Sequence, residues 1–315
     1  MIPAPAPKNP RTMTVLRRPL SRAARKEERT AWVFLLPWFV GMAGVTLGPM
    51  IASLYFSMTD YNLLSSPKWV GFENYSKMLD DPRLRQSLSV TFIYVALSVP
   101  LLLAVALALA MVLNRGIKGL AFYRSVYYLP SLLGASVAVG ILWRQVFGTD
   151  GLVNKFLGLF GVHGPGWISN PDTALYSLVV LHVWTFGSSM VIFLAGLRQI
   201  PEQYYEAAAL DGAGRLHQFR HVTLPLLTPI IFFNLVLQVI SSFQSFTQAF
   251  VVSGGTGGPS DSTLFYSLYL YDEGFGRLHM GYASAMAWLL VVIVGFLTAI
   301  NFYFSKRWVF YGDGK

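Results

Sequence analysis

The chain has 315 residues, 54% of them hydrophobic and only 12% charged, with a formal net charge of +9 and no cysteine. Soluble domains carry about 25% charge, so this composition belongs to the membrane class. The missing cysteines exclude a disulfide framework, thiolate metal sites and a cysteine nucleophile. In a membrane chain a basic excess marks cytoplasmic loops rather than a nucleic-acid partner.

Residues 1–30 form a polar tail, Pro-rich from Ile2 to Pro10 and ending in the basic run RRPLSRAARKEERT. The next stretch, 31–58, is uncharged and far exceeds the ~7–15 apolar residues of a signal peptide, which points to a retained anchor. Crossing a bilayer takes roughly 20 apolar residues as helix. Six runs qualify, at 31–58, 89–114, 125–143, 173–197, 225–252 and 282–304, and none contains Asp, Glu, Lys or Arg. Pro37, Pro49, Pro100 and Pro130 lie inside runs and are candidate kinks. The expected fold is therefore an all-α integral membrane domain of six transmembrane helices over residues 31–304.

Segments 1–30, 115–124, 198–224 and 305–315 hold 17 of the 24 Lys and Arg, and the intervening segments hold 7. The positive-inside rule puts both termini, the loop 198–224 and the tail 305–315 in the cytoplasm. The three opposite loops are each long enough for short structure. NYSKMLDDPRLRQSL reads as a helix leading into the second span and LVNKFLGLFGV as a small amphipathic one. SGGTGGPSDST reads as a flexible turn, and without the Lys-Ser/Thr of a P-loop it implies no nucleotide site.

The loop 198–224 is a charged island between two uncharged runs. Pro201 suits a first helical position, and PEQYYEAAAL is rich in helix formers. Asp211-Gly212 breaks that helix, with Asp211 able to cap the next one and Gly212 supplying freedom at the corner. A second short helix, roughly 214–222, carries Arg215, His217, Arg220 and His221, with Leu216 and Phe219 three apart. Leu224-Pro225 is expected to end it and redirect the chain. Pattern alone leaves two uses open, an amphipathic loop lying on lipid and a docking element for a protein.

The spacing EAA-x2-DGA-x5-F-x4-LP-x3-P resembles the signature cytoplasmic loop of permease subunits of ABC importers. Glu206, Ala207, Ala208, Asp211, Gly212, Ala213, Phe219, Leu224, Pro225 and Pro229 fall on matching positions. GFENY (71–75), FYRSVYYLP (122–130), FLAGLRQIP (193–201) and MGYASAMAW (280–288) extend the likeness over most of the chain, toward the six-span carbohydrate-type permeases. The resemblance implies the type I importer permease fold in the cytoplasmic membrane of a prokaryote. It also implies a second, homologous permease, two copies of a separate ATPase subunit that binds ATP-Mg, and an extracytoplasmic solute-binding protein. By the same likeness Glu206 to Gly212, with Ala213, Arg215 and the residues to Pro225, form the ATPase-coupling loop, and the chain itself binds no cofactor.

The fifth run, FFNLVLQVISSFQSFTQAF, is polar at its centre. At 100° per residue from Asn234, the side chains of Gln238, Ser241, Ser245 and Gln248 share with it a stripe about 80° wide. Polar groups facing lipid are costly, so this stripe faces protein or water. As interhelical glue such groups contribute about 0.6 kcal/mol each; as a path lining they would exchange hydrogen bonds with sugar hydroxyls, with Phe243, Phe246 and Phe250 offering apolar contact. Five positions exceed what gluing needs, which favours the path. His182, the one histidine inside a run, has Thr185 and Ser189 on its helical face. It is either a path residue or a neutral histidine bonded to a neighbouring helix.

These residues point to the pore subunit of an ATP-driven importer of a neutral sugar. Glycerol 3-phosphate or another polar solute is the alternative, and no fixed positive charge in the runs favours it. A secondary carrier would call for buried carboxylates or inverted repeats, and neither is found. Catalysis would need acids, bases or metal ligands gathered at one depth, whereas the five histidines are scattered.

Overall fold

The computed structural model describes residues 22–310 apart from Ile117 and Ala135, with side chains described from Arg29 onward. Most of the expected tail 1–30, and the end of the tail 305–315, lie outside the described residues. The chain divides into two units, 1–53 and 54–315.

The first unit is helical. α1 (Arg22–Gly41) passes through a π-turn at Met42–Leu47 into α2 (Gly48–Ser57). Pro37 sits inside α1 without ending it. Val33, Phe34 and Val45 are 68, 80 and 78% exposed, so the uncharged surface here faces outward, as lipid or a partner helix requires.

In the second unit a short antiparallel pair, β1 (Thr59–Asp60) and β2 (Lys68–Trp69), leads to α3 (Glu73–Asp80) and α4 (Pro82–Leu113). α4 is the central element, packing against the helices Pro171–Trp184, Gly187–Leu197, Leu224–Phe243 and Tyr266–Tyr271. Its buried residues explain this: Leu84, Ser87, Val90, Tyr94, Ser98, Leu102, Ala106, Ala110 and Leu113 recur every three or four positions, one face of a 3.6-residue period. Ala106 and Ala110, both fully buried, let neighbouring backbones come close, as small residues do in membrane helix packing.

After α4 come α5 (Leu120–Leu133) and α6 (Val137–Phe147), then α7 (Leu152–Gly158), α8 (Pro171–Trp184), α9 (Gly187–Leu197), α10 (Glu202–Leu210) and α11 (Arg215–Gln218). The chain ends in α12 (Leu224–Phe243), α13 (Thr247–Ser253), α14 (Tyr266–Tyr271) and α15 (Met280–Trp308). Among the described residues, four continuous helices are long and apolar enough to cross a membrane: Arg29–Ser57, Pro82–Leu113, Arg215–Phe243 and Met280–Trp308. Leu120–Leu133 is bent by 96° from Val137–Gly158, and Pro171–Trp184 by 43° from Gly187–Leu197; counting each pair as one span gives six.

Three expected runs are therefore not single helices. The run 125–143 breaks between α5 and α6, where Ser136 starts a new helix by accepting the Val139 N–H at 3.3 Å. Pro130 lies inside α5 and Pro100 inside α4, and neither is the break. The run 173–197 breaks after Trp184, where Thr185 turns its hydroxyl back onto the His182 carbonyl at 2.7 Å. The run 225–252 breaks at Gln244–Phe246, between α12 and α13.

The segment read as a flexible glycine turn is pinned. Gly254, Gly255, Gly257 and Gly258 all have positive φ, and the Gly257 carbonyl accepts both the N–H and the hydroxyl of Thr263 at 2.9 Å. The neighbouring α14 is buried: Tyr266 donates its hydroxyl to the Met286 carbonyl at 2.7 Å and its N–H to Thr91 Oγ1 at 2.9 Å. A polar network closes this end. Asp81 caps α4 by accepting the N–H groups of Arg83 and Leu84 at 2.9 and 3.0 Å. Its other oxygen accepts the hydroxyls of Tyr269 and Tyr282 at 2.7 and 2.6 Å. Burial works against the charged form of Asp81, but these hydrogen bonds together outweigh it and lower its pKa below the ordinary value. Arg83 reaches Asp261 at 3.1 Å and Asp272 at 3.4 Å, tying the start of α4 to the glycine turn and the end of α14.

Candidate functional site: a neutral cavity and the loop on its helix

The helix breaks leave backbone and polar side chains facing a common space. Irregular backbone at membrane depth is tolerated only where it is packed in protein or lines a cavity, and here it lines one of about 390 Å³. α12 and the break after it contribute Gln238, Ser241, Gln244, Ser245 and Phe246, and the start of α13 contributes Thr247 and Gln248; α8, α9 and the break between them contribute His182, Thr185 and Ser188; α5 contributes Ser131. None of these is Asp, Glu, Lys or Arg.

Hydrogen bonds set the walls. Gln238 donates to Ser189 Oγ at 3.1 Å. Ser245 donates to Gln248 Oε1, and Gln248 donates onward to the Gly134 carbonyl, both at 3.1 Å. Ser131 Oγ donates to the Thr185 carbonyl and accepts the Ser188 N–H, each at 3.0 Å, so one hydroxyl satisfies both sides of the α8–α9 break. His182 Nε2 lies 3.1 Å from Ser242 Oγ, and its ring meets Tyr94 edge-on.

The stripe expected on the fifth run is thus only partly realised. Gln238, Ser241, Ser245 and Gln248 reach the cavity, but through a helix break rather than along one helix. Asn234 does not: it is buried and donates to the carbonyl of Ile230 at 3.1 Å within its own helix. Phe246 lines the cavity and packs against Phe250, whereas Phe243 is buried edge-to-face on Phe92. His182 and Thr185 share the cavity, but Ser189 is separated from them by the break and meets Gln238 instead. Gln244, Thr247, Ser131 and Ser188 were not singled out from sequence. Gln244 sits between Gln238 and Gln248 in the same polar stretch and falls outside the stripe only if the helix is taken as continuous.

The loop ahead of α12 has its own geometry. Pro201 precedes α10 as its N-cap residue rather than opening it. The corner is closed by Gly212, at φ +80°, and by the Ala213 N–H on the Ala208 carbonyl at 2.9 Å. Asp211 does not cap the next helix; Gly214 occupies that place. The expected separate helix 214–222 is instead the beginning of one continuous helix, Arg215–Phe243, and Leu224-Pro225 does not end it. The physical reason is the π-turn at Phe219–Thr223, in which the Leu224 N–H reaches back to the Phe219 carbonyl. A widened turn relieves the clash of a proline ring with the carbonyl four residues earlier. The π-turn ahead of Pro49 in the first unit is the same device.

Tyr205 on α10 meets Thr223 hydroxyl to hydroxyl at 3.0 Å, fixing the two arms of the loop together. Glu206, Ala207, Asp211, Gly212 and Arg215 are exposed, and Ala208, Ala213, Phe219, Leu224 and Pro225 are half-buried. Leu210 and Leu216 are 90 and 80% exposed, two uncovered leucines flanking the corner. Leu210, at the end of α10, was missed because its position in a helix-forming run reads as interior. Beneath the corner lies a second cavity of about 660 Å³, between Met111 to Arg115, Leu197, Tyr205 and the α11 segment.

Known proteins resemble this chain over most of its length. The sequence pattern of the family described as "Binding-protein-dependent transport system inner membrane component" matches residues 79–309. The chain is 51% identical over 293 residues to the probable ABC transporter permease protein YesP of Bacillus subtilis, covering 92% of this chain and 95% of that one. It is 31% identical to the lactose transport system permease protein LacF of Rhizobium radiobacter, covering 91% and 97%. Among solved structures, a bacterial ABC transporter for import of the acidic polysaccharide alginate superposes with a TM-score of 0.76 at 20% identity, covering 90% of this chain and 96% of that one; this likeness concerns the fold.

Proposed function

Because the chain belongs to the binding-protein-dependent transport system inner membrane component family and is an ABC transporter permease subunit that crosses the membrane several times, we propose that it forms half of the pore of an ATP-driven importer for a neutral sugar or oligosaccharide. The observation that carries the reading is the cavity: about 390 Å³, walled by amides, hydroxyls, the His182 imidazole and one phenyl ring, with no Asp, Glu, Lys or Arg. Amides and hydroxyls both donate and accept, which suits a ligand whose polar groups are hydroxyls. A carboxylate or phosphate would call for fixed positive charge. Relatives named for lactose, for starch degradation products and for arabinooligosaccharides support the same class.

In this reading the α10–α11 end and both termini face the cytoplasm, as the Lys and Arg distribution favours. A separate ATPase pair, holding ATP-Mg, receives Glu206 to Phe219, with Leu210 and Leu216 as apolar anchors. A second permease supplies the facing half of the path. A solute-binding protein delivers the sugar from the other side; a relative of similar fold is described in complex with an alginate-bound periplasmic protein. The continuous helix Arg215–Phe243 joins the docking corner to Gln238 and Ser241, so a displacement of the loop moves the cavity wall as a rigid body. Neither cofactor nor catalysis is assigned to this chain.

The test is uptake into vesicles containing the permease with its co-expressed partners, using radiolabelled lactose, maltotriose and arabinotriose. Uptake that requires ATP and is blocked by vanadate supports the reading. Uptake that persists without the ATPase would indicate a secondary carrier instead.

A further inference from the structure

Below the cavity, between α5 and α9, runs a groove of about 540 Å³ lined by Arg124, Ser125, Tyr128 and Ser188 with aliphatic neighbours. Ser188 lines both this groove and the cavity. Between the two spaces α5 and α9 close to backbone contact: a Cβ at Gly187 would collide with the Tyr127 carbonyl and the Tyr128 Cα, and would press on Ser131 Oγ. The arrangement is a closed constriction at Gly187–Ser188, with the polar chamber on one side and, on the other, a largely apolar groove that carries a few polar groups. Among the described residues Arg124 ion-pairs with no carboxylate, leaving its planar set of donors free. One turn along α5, Tyr128 is partly exposed and offers a ring face.

We propose that this groove is an exit subsite for a neutral sugar leaving the cavity, with Ser188 at the constriction, Tyr128 stacking on the sugar ring and Arg124 donating to its hydroxyls. The inference rests on the import reading, and the position of Ser188, which lines both spaces, is what selects a solute in transit over a lipid headgroup. An aromatic face with hydroxyls and a guanidinium around it supplies both the apolar and the directional contacts that a sugar needs.

The chain has no cysteine, so single-cysteine variants report on it without background from this chain. Gln238→Cys marks the cavity; Ser125→Cys and Tyr128→Cys mark the groove, the first being close to isosteric and so a safeguard if the second fails to assemble. The assembled complex, in right-side-out and in inside-out vesicles, is treated with a membrane-impermeant maleimide, with and without an excess of mixed lactose, maltose, maltotriose and arabinotriose. The expected result is labelling of both groove positions from the cytoplasmic side, slowed about fivefold when sugar exceeds its Kd about fourfold, with parallel protection at Gln238→Cys. Protection at Gln238→Cys alone overturns the exit subsite and leaves the import reading standing. Protection at neither place overturns the neutral-sugar reading as well. Groove positions labelled only from the outside, or from neither side, overturn the subsite, as does labelling that responds to anionic phospholipid content and not to sugar.

Discussion

Gln248 donates its side-chain amide to the carbonyl of Gly134, 114 positions away in sequence, and so joins the break after α12 to the break after α5. Both partners sit where helical hydrogen bonding is interrupted, and both border the same polar cavity. A helix break leaves carbonyls without intrahelical donors, and here one break supplies the donor that the other lacks. Gln248→Met keeps the volume and removes the donor. A hydrogen bond of this kind contributes about 1 kcal/mol, or roughly a fivefold shift between two arrangements of the breaks. The expected outcome is basal ATP hydrolysis by the reconstituted complex raised about fivefold with sugar stimulation correspondingly reduced; unchanged basal and stimulated rates would show that the link does not hold the resting arrangement.

Gly212 has φ +80° and donates its N–H to the Ala209 carbonyl at 3.0 Å. Proline can satisfy neither condition. Gly212→Pro is expected to insert and to purify with its partners while ATP hydrolysis and uptake lose their coupling. Gly212→Ala, which meets only the positive-φ strain of about 1 kcal/mol, should retain part of the uptake. Normal transport by the proline variant would remove Glu206–Phe219 from the energy-input role.

Glycines in the helices separate into two kinds. Gly187 is pressed against α5, while a Cβ at Gly295 in α15 would meet nothing within 4 Å. Gly187→Ala is therefore expected to destabilise the protein by about 1–3 kcal/mol through overpacking. Gly295→Ala should be neutral or stabilising by about 0.5–1 kcal/mol, as helix propensity dictates. Thermal unfolding of the two variants in the same detergent compares them directly.

Asp81 gives a prediction in pH. Its pKa is lowered in the folded chain, so its contribution to stability is fully present above the ordinary carboxylate range. It is lost as pH falls through the lowered folded value. Asp81→Asn should flatten that acid limb, and Asp81→Ala should cost about 1–2 kcal/mol at neutral pH by removing the cap of α4. Unfolding midpoints measured from neutral pH downward distinguish the two; an acid limb unchanged in Asp81→Asn would assign it to other carboxylates.

Gln244 tests the lining itself. It is exposed to the cavity and makes no side-chain hydrogen bond among the described residues. Gln244→Leu should raise the KM for sugar uptake severalfold with expression unaffected. A KM equal to that of the parent would exclude Gln244 from the path.

The uncharged runs, the polar loop and its corner at Asp211-Gly212 were legible because charge and glycine act locally. The breaks were not, because nothing local forces them. Gln244-Ser245 continues a helical pattern by composition, and it is the bond from Gln248 to Gly134 across the fold that stabilises the interruption. The same holds for Asn234, which looks like its polar neighbours but bonds within its own helix. Pro225 misled in the opposite direction, since the π-turn just ahead of it lets the helix pass through. α14 was hidden because six residues are too few to cross a membrane, and only contact with Thr91 and Met286 reveals that the segment is core.

The helix from Arg215 to Phe243 has 29 residues, a length of about 43 Å at 1.5 Å per residue. The hydrocarbon layer is about 30 Å thick, so at least some 13 Å of this rod stands clear of it. Pivoted at its Phe243 end, such an arm sweeps its Arg215 end through about 0.75 Å for each degree of tilt. A five-degree swing thus travels nearly 4 Å at one end and almost nothing at the other, while every backbone bond along the shaft stays intact. The proline that looked like a stop is, through its π-turn, what allows one shaft to serve both ends.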